Sequence, residues 1–199
     1  MIRVILAGIL GGIAIFMVGG VSHSVFYLQS RAAVALPDEA TLVEVIKGQK
    51  LEHGVYGFPE IPMNAKPDEL KAKSEEHEKK YVDGPNGLLF IGRAGEKPMT
   101  GRELGMEFGS NVAAALLCSF VLACMSPRNG FTTRLAVCFL IGLISWLSID
   151  ASYGIWYRFP NLWVMDGLIG ALAEWVIAGV LMSAIVRPFY PELTAATAK

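Results

Sequence analysis

No proline interrupts any of the four long apolar runs of this 199-residue chain. Broken helices near the bilayer midplane often build the binding sites of secondary transporters, and nothing in these runs marks such a break. Basic residues are not in excess either. Seventeen Lys and Arg face eighteen Asp and Glu, for a net charge of −1. Without a basic face there are no phosphate counterions to release, which argues against a nucleic-acid partner. Cysteine is scarce. Cys118, Cys124 and Cys138 all fall inside apolar runs. The long polar stretch therefore has no disulfide framework, and no C-x-x-C or C-x-x-C-H occurs. The three read as small buried hydrophobes. H-E-x-x-H, a Gly-rich phosphate loop and G-x-S-x-G are also missing. His53 and His77 stand 24 residues apart with no companions at ligand spacing. No catalytic residue, metal site or cofactor is assigned, and the sequence points away from an enzyme.

What is present is apolar surface in blocks. Hydrophobic residues make up 53% of the chain, above the roughly 45–50% of soluble domains. The blocks run Val4 to Val21, Phe108 to Ser126, Leu135 to Ile149 and Gly167 to Val186. A bilayer core about 30 Å thick needs roughly 20 apolar helical residues. Helices satisfy their own backbone in lipid, so the blocks read as transmembrane helices. The first could be taken for a signal peptide ending near Ala33-Val34-Ala35, but its apolar run exceeds a normal h-region. A retained helix is expected.

Fourteen of the eighteen acids lie between Asp38 and Glu107. This polar stretch, roughly Ser30 to Met99, has the punctuation of a folded insertion. Pro37-Asp38-Glu39 opens a short helix that Gly48 can close, and Pro67-Asp68-Glu69 opens a charged helix reaching about Tyr81. Gly54 to Phe58 and Gly87 to Gly92 read as short strands that can pair. Thr100-Gly101-Arg102-Glu103 is a capping-box pattern. The fold class expected is an all-α membrane protein of four helices, with a small α+β extracytoplasmic insertion between helices 1 and 2. The segments are 1–30, 31–106 and 107–199.

Orientation follows from short-loop positive charge. Arg3, Arg128, Arg134, Arg187 and Lys199 share one side, and the opposite short loop has only Arg158. Both termini are expected on the cytoplasmic side and residues 31–106 on the other. The loop from Ser152 to Trp163 is aromatic. Its Tyr153, Trp156, Tyr157, Phe159 and Trp163 suit a headgroup belt.

In these motifs the chain resembles a family of uncharacterised bacterial four-helix membrane proteins. The resemblance rests on Ser152-Tyr153-x-x-Trp156-Tyr157-x-Phe159-Pro160, Tyr56-x-Phe58-Pro59, Gly84-Pro85-x-Gly87-Leu88-Leu89, Glu107-Phe108-x-x-Asn111 and Ser22-His23. It implies this topology and a bacterial inner-membrane location, and it implies no activity.

Ionisable groups inside a membrane are functional candidates by default. His23, Glu107, Asn111, Asp150, Asp166 and Glu174 all map to the outer half, leaving the inner half apolar. Glu174 shares a face with Gly167, Gly170, Ala171 and Ala178, so it is expected to face a neighbouring helix, with His23, Asn111 or a serine of the third helix as partner. It can be a proton- or cation-handling carboxyl or a neutral interhelical hydrogen-bonding group. His23 continues a stripe of Gly8, Gly12, Phe16 and Gly19. It can be a proton acceptor or ligand beside Glu107 or Asp150, or an interfacial histidine bonded to a neighbouring helix or to water. The Gly8/Gly12 pair is read as close packing inside the bundle rather than a homodimer face. Three classes stay open: an accessory or scaffold subunit of a larger membrane complex, a small proton- or solute-linked transporter or channel, and a membrane enzyme acting on a lipid or quinone at the outer interface. The bilayer is the first expected partner, with partner subunits or further copies of the chain beside it.

Overall fold

The computed structural model describes residues 1–60, 66–187 and 189 of the chain. Lys199 and the rest of the expected cytoplasmic tail lie outside the described residues. The chain divides into two compact units, Val34–Lys97 and a second that joins Met1–Ala33 to Pro98–Lys199.

The smaller unit is a helix–strand–helix–strand arrangement. Helix α2 (Glu39–Gly48) starts at Asp38, whose side chain accepts the Thr41 backbone N–H at 3.1 Å. That bond satisfies an orphan donor of the first turn and holds the Asp38 carboxyl below its ordinary pKa. Helix α3 (Leu70–Asp83) runs two residues beyond the expected Tyr81 before Gly84 ends it at φ 62°. Glu69 and Lys73, and Glu76 and Lys80, pair at 3.0 and 2.6 Å across one turn. This is the favourable order, with glutamate N-terminal to lysine. Strands β1 (Gly54–Phe58) and β2 (Gly87–Ile91) pair antiparallel, Gly54 opposite Ile91 and Phe58 opposite Gly87. Neither helix contributes a buried residue, so this unit has little core of its own.

The larger unit carries four helices long and apolar enough to cross a membrane: α1 (Ile2–Ser24), α4 (Gly101–Cys124), the 27-residue span Phe131–Tyr157 and α7 (Asn161–Ile185). By length and composition they suggest a multi-pass membrane protein. The capping box at Thr100 is formed, with Glu103 accepting the Thr100 N–H at 2.8 Å. It starts α4 seven residues before the apolar run does. The third span consists of α5 (Phe131–Ser148) and α6 (Asp150–Tyr157), offset at Ile149. Of the expected aromatic loop, Ser152 to Trp163, only Arg158 to Pro160 therefore lies outside a helix. Asp150 sits in the first turn of α6, where a carboxylate suits the helix N-terminus. Arg158, at φ 59°, turns the chain out of it before Pro160.

Helix α7 packs against both α1 and α5, and α1 packs against α4. The best-buried side chains form one cluster: Val4, Ala7 and Ile15 of α1, Ala115, Cys118, Leu122 and Ala123 of α4, Cys138 of α5, and Ala178 and Met182 of α7 with Val186 beyond its end. The beginning of α1, the end of α4, the beginning of α5 and the end of α7 thus meet at one end of the bundle, as antiparallel neighbours must. Close approach of α1 and α4 depends on glycine. A Cβ at Gly8 would lie 2.7 Å from Leu116 Cα, and one at Gly12 would lie 2.5 Å from Val112 Cα. The G-x-x-x-G pair packs within the chain.

Candidate functional site

At the opposite end of the bundle the chain leaves α1 through a tight turn, Tyr27 to Ala32. Tyr27 and Gln29 both take positive φ, 52° and 63°. Side chains with a Cβ rarely adopt this region, and each instance costs on the order of 1–3 kcal/mol. The distortion is matched by what it aims. The Gln29 backbone N–H donates to Asp166 Oδ2 at 2.9 Å, and its side-chain amide donates to Asp150 Oδ1 at 3.0 Å. Arg31 donates from Nε to Asp166 Oδ2 at 2.8 Å and from Nη2 to Asp166 Oδ1. Asp166 is 1% exposed, and the Arg31 side chain is 47% exposed. The two-toothed contact is the strong form of an arginine–carboxylate pair. Asp166 in turn holds the Arg31 pKa above its ordinary value through the hydrogen bond, partly opposed by burial. Gly167 makes room for the cluster, since a Cβ there would lie 2.6 Å from Asp150 Oδ1.

Asp150 and Asp166, both expected in a polar cluster, are thus brought together. The residues that join them, Gln29 and Arg31, were not singled out from the sequence. The only signal was a polar Gln-Ser-Arg beginning eight residues after the first apolar run, and that pattern is common at membrane boundaries.

The other sequence candidates are placed differently. His23 is exposed, and its Nδ1–H donates to the Leu28 carbonyl at 3.2 Å. It fastens the same turn rather than meeting Glu107 or Asp150 through a hydrogen bond. Glu174 faces α1, as its small-residue face predicts, because a Cβ on Gly19 would lie 3.0 Å from Glu174 Oε1. Its expected polar partner is not found. Among the described residues it makes no hydrogen bond with His23, Asn111 or a serine of α5. The charged group that bears on it is Glu107 of α4. Glu107 is exposed and Asn111 half-buried. Helices α4 and α5 approach each other at Cys118 and Cys138, whose sulfurs lie 3.7 Å apart. Both thiols are buried, but Cys124 is exposed, because its position at the end of α4 turns it out of the bundle. Ser145 bonds back to Gly142 of its own helix at 2.7 Å.

The aromatic residues form a chain of ring contacts. Tyr153 meets Tyr157 and Phe159, each at 5.6 Å between centroids, and Phe159 meets Trp163 at 5.5 Å. Trp156 is 74% exposed and stands outside that chain. Trp146 donates from Nε1 to the Val164 carbonyl at 2.8 Å, tying α5 to α7 beside the cluster.

Arg134 has a role its reading as a topology charge did not include. It is buried at the start of α5 and donates to the Val186, Ser183 and Asn129 carbonyls at 2.8, 3.4 and 3.1 Å. The last carbonyls of a helix lack intrahelical partners and carry partial negative charge. Arg134 serves the Ser183 carbonyl in the last turn of α7 and the Val186 carbonyl just beyond it. Among the described residues no group of three or more His, Cys, Asp or Glu is arranged to hold a metal ion. Comparison with known protein families, with curated proteins and with solved structures finds no match.

Proposed function

We propose that the chain is a non-catalytic accessory or scaffold subunit of a larger complex in the bacterial inner membrane. Both termini are cytoplasmic in this reading, and residues 31–106 lie outside the cytoplasmic face. The observation that carries it is the uneven cover of the four helices. In the most apolar window of the third span only 11% is buried within the chain, against 33% for α1. Phe139, Leu140, Ile144 and Leu147 of α5 all remain exposed. Such a face can receive a helix of another subunit, which lipid-embedded helices gain by van der Waals packing. The intramembrane acids support the same reading. Asp150 and Asp166 are committed to fastening the exit turn of α1, an anchoring task that leaves little for chemistry.

Purification from native membranes in mild detergent tests it. Stoichiometric co-migration with a larger complex, lost on Ile144→Trp, is the expected result. Isolation of the chain alone, or as copies of itself, from native membranes overturns it.

One observation favours a second reading, proton- or cation-linked transport. Glu174 faces α1 without a hydrogen-bond partner among the described residues, and its charged neighbour is a second carboxyl, Glu107. A carboxyl inside a membrane is by default a candidate for handling protons or cations. Proteoliposomes carrying the chain would then move protons or cations, and Glu174→Gln would stop them.

A further inference from the structure

Between the second half of α1, its exit turn and the first half of α7 lies a groove of about 530 Å³. That is within the range of sites that hold one small organic molecule, roughly 300–1,000 Å³. Its walls are apolar, with Met17, Val21 and Phe26 on one side and Ile169, Ala173 and Ile177 on the other. The polar residues lining it are Ser22 and Arg31. Arg31 belongs to the turn where the apolar run of α1 has ended. The groove therefore has one long greasy wall and one cationic pole.

The cation is oriented rather than loose. Asp166 takes the Nε and Nη2 edge of the guanidinium. Nη1 has no hydrogen-bond partner among the described residues, and the side chain stays 47% exposed. Asp166 is behind it and buried, so the pair presents its positive side outward. A guanidinium fork held in this way matches a phosphate. An occupant must combine an acyl chain for the walls with a phosphate for the pole. A headgroup with its own ammonium would place a second cation beside Arg31, which like-charge repulsion disfavours.

We propose that this groove binds one acyl chain of an anionic phospholipid, with its phosphate on the outer edge of Arg31. The proposal rests on the reading that the four helices span a membrane. It asks nothing of any partner subunit. The lipid would seal the gap between α1 and α7 and keep the Arg31–Asp166 pair away from water.

Native mass spectrometry of the full chain, purified in mild detergent and exposed to phosphatidylglycerol or phosphatidylcholine, tests it. Wild-type chain should retain one phosphatidylglycerol, with a preference over phosphatidylcholine of about tenfold. Ala173→Trp fills the groove without touching the ion pair and should remove the bound lipid. Arg31→Gln keeps the apolar walls and should erase the preference between the two headgroups. Equal retention of both lipids by wild type overturns the proposal, as does unchanged retention by Ala173→Trp. Binding of inorganic phosphate with no lipid retained overturns it as well. Failure of the membrane reading is seen separately, as release of the chain from membranes by an alkaline carbonate wash.

Discussion

Gly12→Ala adds one carbon where the structure has no space for it. The new Cβ would stand 2.5 Å from Val112 Cα and 2.8 Å from Val112 N. These are backbone atoms, so no rotamer change relieves the contact, and α1 must back away from α4 by about 1 Å to restore ordinary van der Waals separation. Overpacking of this kind costs about 1–3 kcal/mol. Alanine is the better helix former by about 1 kcal/mol, which offsets part of it. The net expectation is a loss of about 0–2 kcal/mol. Gly20→Ala is the control, because a Cβ there meets nothing within 4 Å, and it should gain up to about 1 kcal/mol from propensity alone. The two variants should therefore melt apart by about 2–12 °C, Gly20→Ala the higher, in thermal unfolding of the detergent-solubilised chain. Equal melting temperatures, or a lower one for Gly20→Ala, would refute the packing argument. A change in oligomeric state at unaltered melting temperature would instead place the glycines on a homodimer face.

Glu174→Leu should leave stability within about 1 kcal/mol of wild type, because no hydrogen bond among the described residues is broken; chemical denaturation showing a loss above about 2 kcal/mol would reveal a partner and overturn that expectation. Asp166→Ala removes the acceptor of Gln29 N–H and of two Arg31 donors. It should cost about 2 kcal/mol and raise hydrogen exchange at Leu28 to Ala32, and unchanged exchange there would show that the turn is held by something else. A cytoplasm-active reporter inserted near Asn129 should work and one near Lys73 should not. The reverse pattern would overturn the orientation.

What the sequence could show about this protein was decided by neighbours along the chain. Four apolar runs read as spans because desolvation of backbone and side chains is local to each run, and the helices appear at those places. Asp38 starts α2, and Thr100 with Glu103 starts α4, because caps act within three or four residues, whereas Gly48 is the last residue of α2 and Lys50, not a glycine, takes the positive φ beyond it. The uncertain boundary was local too. The Ser152 to Tyr157 stretch reads as an aromatic loop by composition, yet Asp150 in its first turn lets it form α6.

The candidate site was legible by half. Asp150 and Asp166 stood out because carboxylates in apolar surroundings are costly. Gln29 and Arg31 did not, because a polar residue after a span needs no special explanation. Their bonds join residues 121 to 137 positions apart. The same holds for Arg134, whose charge reads as a topology signal but whose donors serve carbonyls 49 and 52 residues away. Glu174 faces the helix side its small neighbours predicted, but what lies across from it is Gly19 of α1 rather than a hydrogen-bond donor. Periodicity states which side chains share a face of one helix. Which faces meet depends on how α1, α4, α5 and α7 pack, and that packing turns on close approaches such as Gly12 to Val112. Spans, caps and the small strand pair were therefore set by the amino-acid order itself. The anchored turn, the α7 cap and the groove beside Arg31 exist only once the helices have chosen their partners, because each is made from residues that share no stretch of chain.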